Sequence, residues 1–239
     1  MIPEIGALRY TNLMRFLLTA TFKSNKLKED VVSWVRDVTP HAPSSLSLVV
    51  APSFPHLSLV SSPLVLAAQD VSPFPPGSYT GAVNADQLKD FGVTYCLVGH
   101  SERRKYFHET PVEIANKVDL LLGVGITPIL CLSKSDLAPQ LSALTCNILS
   151  PIYCYEPPAD IGGTDTAPLE DIVGTVGEFK KIIGEQARVM YGGSVNAGNA
   201  VPLIPHVSGL LVSTACLNSK SFIDIINVCS TYSQNGSKS

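Results

Sequence analysis

Residues Tyr95-Cys96-Leu97-Val98-Gly99-His100-Ser101-Glu102-Arg103-Arg104 change character in one step. Four strand-forming residues end on a glycine, and a polar, partly titratable run begins at once. A strand with no polar alternation is one buried on both faces, as in a parallel sheet covered by helices. Polar residues expelled to its end are then where chemistry is placed.

The same pattern recurs along the chain. Comparable runs lie at Phe16–Thr21, Leu46–Ala51, Leu64–Ala68, Thr127–Leu132, Ile152–Tyr155, Arg188–Tyr191 and Gly209–Val212. Their spacing is about 25–30 residues, enough for one strand, one helix and two loops. Helical patterns fill several of the gaps. Glu29–Val38 carries Val31, Val32, Trp34 and Val35; Thr110-Pro111-Val112-Glu113 is a capping box with proline at the first helical position. Leu169, Ile172, Val173, Val176 and Phe179 repeat at helical spacing. Leu137–Leu149 reads as a short helical stretch, and Val195–His206 as one broken by Pro202 and Pro205. Repeated βα units without a composition break predict a single α/β domain. Eight units favour a closed (βα)8 barrel over an open doubly wound sheet. The barrel is expected over residues 15–239, with residues 1–14 as an N-terminal extension.

Composition agrees with that reading. The 239 residues are 45% hydrophobic and 15% charged with net charge −3, which excludes a disordered acidic or basic chain. Near-neutrality gives no electrostatic reason for nucleic acid or an anionic membrane as partner. No apolar run approaches the roughly 18 residues of a membrane helix, and the start lacks a basic region followed by an apolar one. The six cysteines form no CxxC pair and have no histidine at metal-ligand spacing, so reduced core thiols in a cytoplasmic protein are expected.

Strand ends of such a barrel build its active site. They carry Thr21-Phe22-Lys23, Gly99-His100-Ser101-Glu102, Glu156-Pro157-Pro158 through Gly162-Gly163-Thr164, Tyr191-Gly192-Gly193-Ser194, and Ser213-Thr214. Ser101 is placed to cap a helix, and His100 to act as acid or electrophile. Pro157-Pro158 and Gly162-Gly163 bracket a loop stiff at one end and permissive at the other, as a hinged lid would be. The Gly192-Gly193-Ser194 turn offers backbone N–H groups and a hydroxyl to a phosphate. A cation, an imidazole, a carboxylate and an anion turn on separate strand ends point to proton transfer on a small phosphorylated substrate.

Gly99-His100-Ser101-Glu102-Arg103-Arg104, Tyr155-Glu156-Pro157, Ile161-Gly162 and Tyr191-Gly192-Gly193-Ser194-Val195 together resemble the triosephosphate isomerase family. That resemblance implies interconversion of dihydroxyacetone phosphate and glyceraldehyde 3-phosphate, a step of glycolysis and gluconeogenesis, without cofactor or metal. It implies a homodimer, with a tetramer as the alternative, and Ser72–Thr80 as the segment reaching a partner. By motif position Glu156 resembles the base, His100 the electrophile, Lys23 the cation and Glu102 its supporting carboxylate. Thr21, Lys23, Ser101, Gly162, Gly193, Ser194, Ser213 and Thr214 are similar to the substrate- and phosphate-binding positions, and Pro157–Thr164 to the lid. Thr21 and Phe22 stand where the family usually has Asn and Trp, and Ser213-Thr214 where it has Gly-Gly. Isomerisation of another small phosphorylated ketose, such as a tetrulose phosphate, and a non-catalytic barrel that binds phosphorylated ligands are the alternatives.

Overall fold

The computed structural model describes residues 15–157 and 166–235. The proposed N-terminal extension, most of the Pro157–Thr164 segment and Gly162 lie outside the described residues.

Eight parallel strands close into a barrel in sequence order. They are β1 (Phe16–Thr21), β2 (Leu46–Ala51), β3 (Val65–Ala68), β4 (Tyr95–Val98), β5 (Thr127–Leu132), β6 (Ile152–Tyr155), β7 (Val189–Tyr191) and β8 (Gly209–Val212). Leu64 and Arg188 fall just outside the strands expected to hold them. Closure comes from β8 lying on β1, with Leu17 opposite Gly209 and Ala20 opposite Val212.

Each strand is buried on both sides because it belongs to two cores. Inward residues, among them Leu17, Val49, Leu97, Ile129, Met190 and Leu211, fill the barrel. Alternate residues such as Leu18, Val50, Val98, Leu130 and Leu210 pack outward under the helices. This double demand produces the unbroken apolar runs of the sequence.

The helices are α1 (Lys28–Val38), α2 (Ala85–Asp90), α3 (Ser101–Tyr106), α4 (Pro111–Gly123), α5 (Leu137–Ala143), α6 (Leu169–Ile183), α7 (Ala200–Leu203) and α8 (Ser219–Asn235). At the start of α4 the Thr110 Oγ1 accepts the Glu113 N–H at 3.2 Å while Glu113 Oε2 accepts the Thr110 N–H at 2.8 Å. Of the stripe read from its sequence, helix α6 buries Ile172, Val176 and Phe179, leaves Val173 half-buried and Leu169 exposed, and adds Ile183. The expected 137–149 helix stops at Ala143 and continues as irregular chain. Val195–His206 resolves into the single turn α7 and a 3-10 turn, Ile204–His206. Between β2 and β3 a 3-10 segment, Phe54–Leu59, with Pro55 in its first turn, takes the place of an α-helix.

Candidate active site

The β4–α3 turn sets the frame. Gly99 has φ +67, and a Cβ there would stand 2.8 Å from Arg104 Nη2, so both backbone and space require glycine. Arg104 locks the turn, donating to Gly99 O at 2.8 Å, to Cys131 O at 3.3 Å and to Gln140 Oε1 at 3.0 Å. The following residue caps α3, and this corrects one expectation. The cap is His100, whose Nδ1 accepts the Glu102 N–H at 3.2 Å; Ser101 is the first helical residue, its Oγ buried without a hydrogen bond. An imidazole that accepts at Nδ1 carries its proton on Nε2, which faces the barrel mouth as a neutral donor.

Glu156 leaves β6 with its backbone still on the sheet ladder, its N–H donating to Leu132 O at 3.0 Å. Its side chain is 2% exposed. Oε2 accepts the Ser101 N–H at 3.2 Å, and Oε1 lies 3.1 Å from His100 Nε2 without accepting a hydrogen bond from it. Residues from two strand ends are thus joined through a carboxylate.

Lys23, two residues beyond β1, has φ 49, a left-handed conformation that costs a non-glycine residue about 1 kcal/mol or more. Gln69, just past β3, holds that backbone: its Nε2 donates to Lys23 O and to Ala51 O, both at 2.9 Å. Lys23 Nζ reaches Glu102 Oε1 at 2.7 Å. A cavity of about 280 Å³ opens here, lined by Thr21, Lys23, Gln69, His100 and Glu102 among others.

Lys23, His100, Ser101, Glu102, Glu156 and Thr21 are therefore brought together on neighbouring parts of the mouth. The anion-turn residues occupy the ends of β7 and β8. Gly193 is buried, and Ser194 O accepts from Thr166 Oγ1 at 2.5 Å and from Asn199 Nδ2 at 2.7 Å. Ser213 has φ −110, so replacing a glycine there forces no left-handed backbone, and Thr214 opens a 3-10 turn, Thr214–Leu217. That turn is tied to β1 by the Cys216 thiol, 3.4 Å from Thr21 O.

Two features escaped the sequence. Gln69 follows an apolar run as His100 does, and that position was its only signal. The second is a buried charge cluster beside the cavity. Lys117 Nζ bonds Asp70 Oδ1 at 2.7 Å and also Glu109, while Arg103 Nη2 bonds Asp70 Oδ2 at 2.9 Å and its Nε bonds Glu109. Burial raises the Asp70 carboxyl above its usual range, against the opposing pull of Lys117. One further grouping joins residues far apart in the sequence. Cys131, Cys154 and Glu156, on neighbouring strands, place their ligand atoms within 4.8 Å of one another.

Comparison with known proteins gives a consistent picture. The family model described as triosephosphate isomerase matches residues 16–229. A triosephosphate isomerase of Lawsonia intracellularis is 31% identical over 90% of this chain and 98% of its own length. One from Thermus thermophilus is 33% identical over 90% of this chain and 99% of its own. One from Paracidovorax citrulli is 37% identical over 69% of this chain and 75% of its own.

Proposed function

The chain belongs to the triosephosphate isomerase family, and from that premise we propose that it interconverts dihydroxyacetone phosphate and D-glyceraldehyde 3-phosphate with Glu156 as the base. The observation carrying this reading is one chain of contacts at the mouth: Lys23 and His100 line the same cavity, and Glu156 Oε1 lies 3.1 Å from His100 Nε2.

The roles follow from the chemistry. Glu156, an acceptor with its carboxylate at the strand end, takes the proton from the carbon beside the substrate carbonyl. His100, a donor at Nε2, polarises that carbonyl and stabilises the enediolate oxygen; Lys23 adds a positive charge where negative charge develops. Glu102 orients the Lys23 ammonium. The 3.1 Å between His100 Nε2 and Glu156 Oε1 leaves no room for a carbonyl group. Substrate entry must therefore move Glu156 off the Ser101 N–H. The phosphate belongs with the backbone N–H groups at Gly193, Ser194, Ser213 and Thr214, just past β7 and β8, the second of which adjoins β1.

Replacing Glu156 by Gln keeps the shape and removes the base, so turnover should fall at least ~10²-fold. Unchanged turnover would remove Glu156 from the mechanism. Running three- and four-carbon ketose phosphates side by side separates the triose reaction from that of a tetrulose phosphate.

A homodimer is part of the same proposal. Phe74 and Tyr79 stack at 4.6 Å yet remain 47% and 43% exposed, beside a groove of about 490 Å³ that Phe107 also lines. Exposed aromatic patches of this kind are characteristic of protein contacts. A monomeric sedimentation value at micromolar concentration would contradict it. Six free thiols suit the reducing cytoplasm; among the described residues no helix is long and apolar enough to cross a membrane.

A further inference from the structure

Beneath the carboxylate of Glu156 lies a pair of thiols. Cys131 and Cys154 are register partners on β5 and β6, and both are buried inside the barrel. The Cys131 thiol sits against both the Cys154 sulfur and the Glu156 carboxylate. Glycine at position 192 makes the space, because a Cβ there would stand 2.7 Å from Cys154 Sγ and 3.2 Å from Glu156 Cγ. The two sulfurs and a carboxylate oxygen lie within 4.8 Å of one another.

We propose that Cys131, Cys154 and Glu156 form a binding site for one thiophilic divalent cation of the zinc class, and that occupancy silences the isomerase. The donor set decides the cation. Two thiolates and one carboxylate suit Zn²⁺ or Cd²⁺, whereas Mg²⁺ and Ca²⁺ require oxygen ligands. In a tetrahedral zinc site, metal–ligand distances of about 2.0–2.3 Å place ligand atoms about 3.5–3.8 Å apart. The three groups here, within 4.8 Å of one another, reach that arrangement by closing about 1.3 Å at most. Glu156 Oε1 is buried and accepts no hydrogen bond, so an oxygen lone pair is available to the ion.

Binding forms two metal–sulfur bonds and one metal–oxygen bond and leaves a fourth position for water. The two thiol protons are displaced and pass to the buffer. The site adjoins the mouth cavity through His100, which lines that cavity and lies 3.1 Å from Glu156 Oε1. A carboxylate bonded to the ion cannot take a proton from substrate. This consequence rests on the proposed role of Glu156; the cation site itself does not.

The test titrates the full-length, phosphine-reduced chain with Cd²⁺ and follows the near-ultraviolet thiolate-to-cadmium absorption and the isomerase rate together. One Cd²⁺ per chain is expected to give the band and abolish turnover, with a chelator restoring it, and Zn²⁺ should inhibit likewise. Cys154→Ala and Cys154→Ser, checked for folding by thermal melting, should lose at least half the band. The Cd²⁺ concentration for half-inhibition should rise at least about 10-fold, judged against each variant's own uninhibited rate. Absence of the band, or an equal midpoint in wild type and Cys154→Ala, overturns the site. A band without loss of turnover overturns the silencing. If Glu156→Gln is then also fully active, the error lies in assigning the base, and the cation site stands.

Discussion

Lys23 and Lys117 line two cavities that share Asp70 and Arg103, and both pair with carboxylates, yet the chain treats them in opposite ways. The Lys117 side chain is 3% exposed and holds both Asp70 and Glu109. The Lys23 side chain is 24% exposed, has one carboxylate partner, Glu102, and sits on strained backbone held from outside by Gln69. One short helix supplies both environments, since Glu102 turns to Lys23 and its neighbour Arg103 turns to Asp70 and Glu109. A charge whose partners are all protein groups maintains the fold. A charge left with spare capacity at a cavity is available to a ligand.

The strongest way to break this comparison is to remove each ammonium in turn. Lys23→Met should lower turnover about 10²–10³-fold, the usual cost of losing one electrostatic stabiliser of a developing charge. Its urea midpoint should stay near that of the wild type. Lys117→Met should do the reverse. It leaves two buried carboxylates, Asp70 and Glu109, to Arg103 alone, and breaking one side of a buried pair costs about 3–5 kcal/mol, read from urea unfolding. The fraction that remains folded should turn over substrate at close to the wild-type rate. Equal effects of the two substitutions on turnover would erase the distinction.

What was legible in the sequence follows the same division. Burial on both faces leaves a one-dimensional trace, so all eight strands were visible, with only Leu64 and Arg188 lost at their ends. The short connections were poorly visible, because Phe54–Leu59 and Ile204–His206 are single 3-10 pieces set by proline and packing rather than by an apolar stripe. His100, Glu156 and Lys23 were legible because each is a titratable residue at or just past a strand end. Gln69 and Asp70 follow β3 in the same way but belong to no family motif quoted for this chain. The Cys131–Cys154 pair was invisible to spacing rules, which look along the chain. Parallel register joins them: each is the last but one residue of its strand.

The thiols sharpen the contrast between interior and surface. Cys146 is half-buried, whereas the other five cysteines are buried. Burial pushes the Cys216 and Cys229 thiols up to about 12. Since the thiolate is the reactive form, one thiol per native chain should react promptly with an aromatic disulfide at mildly alkaline pH. That thiol should vanish in Cys146→Ser. Prompt reaction of two or more would show that the barrel opens far more readily than its packing implies.

The smallest effect tests whether the buried cluster is as comfortable as its geometry suggests. Asp70 has two cationic neighbours, yet burial still raises its carboxyl above the ordinary 3.8. A group raised in the folded state contributes stability that is fully present below its unfolded value. That contribution is lost as pH rises through the folded value. Asp70→Asn mimics the protonated acid and cannot ionise. Relative to wild type it should therefore gain stability as pH is raised from about 4 toward neutrality, even though it removes an ion-pair partner from Lys117 and Arg103. Urea midpoints of the two proteins across that range give the answer. A difference that stays flat, or moves toward the wild type, would mean that the pairing outweighs the burial. The cluster would then stabilise through its charges, rather than merely keep them neutralised inside a barrel that has to enclose them.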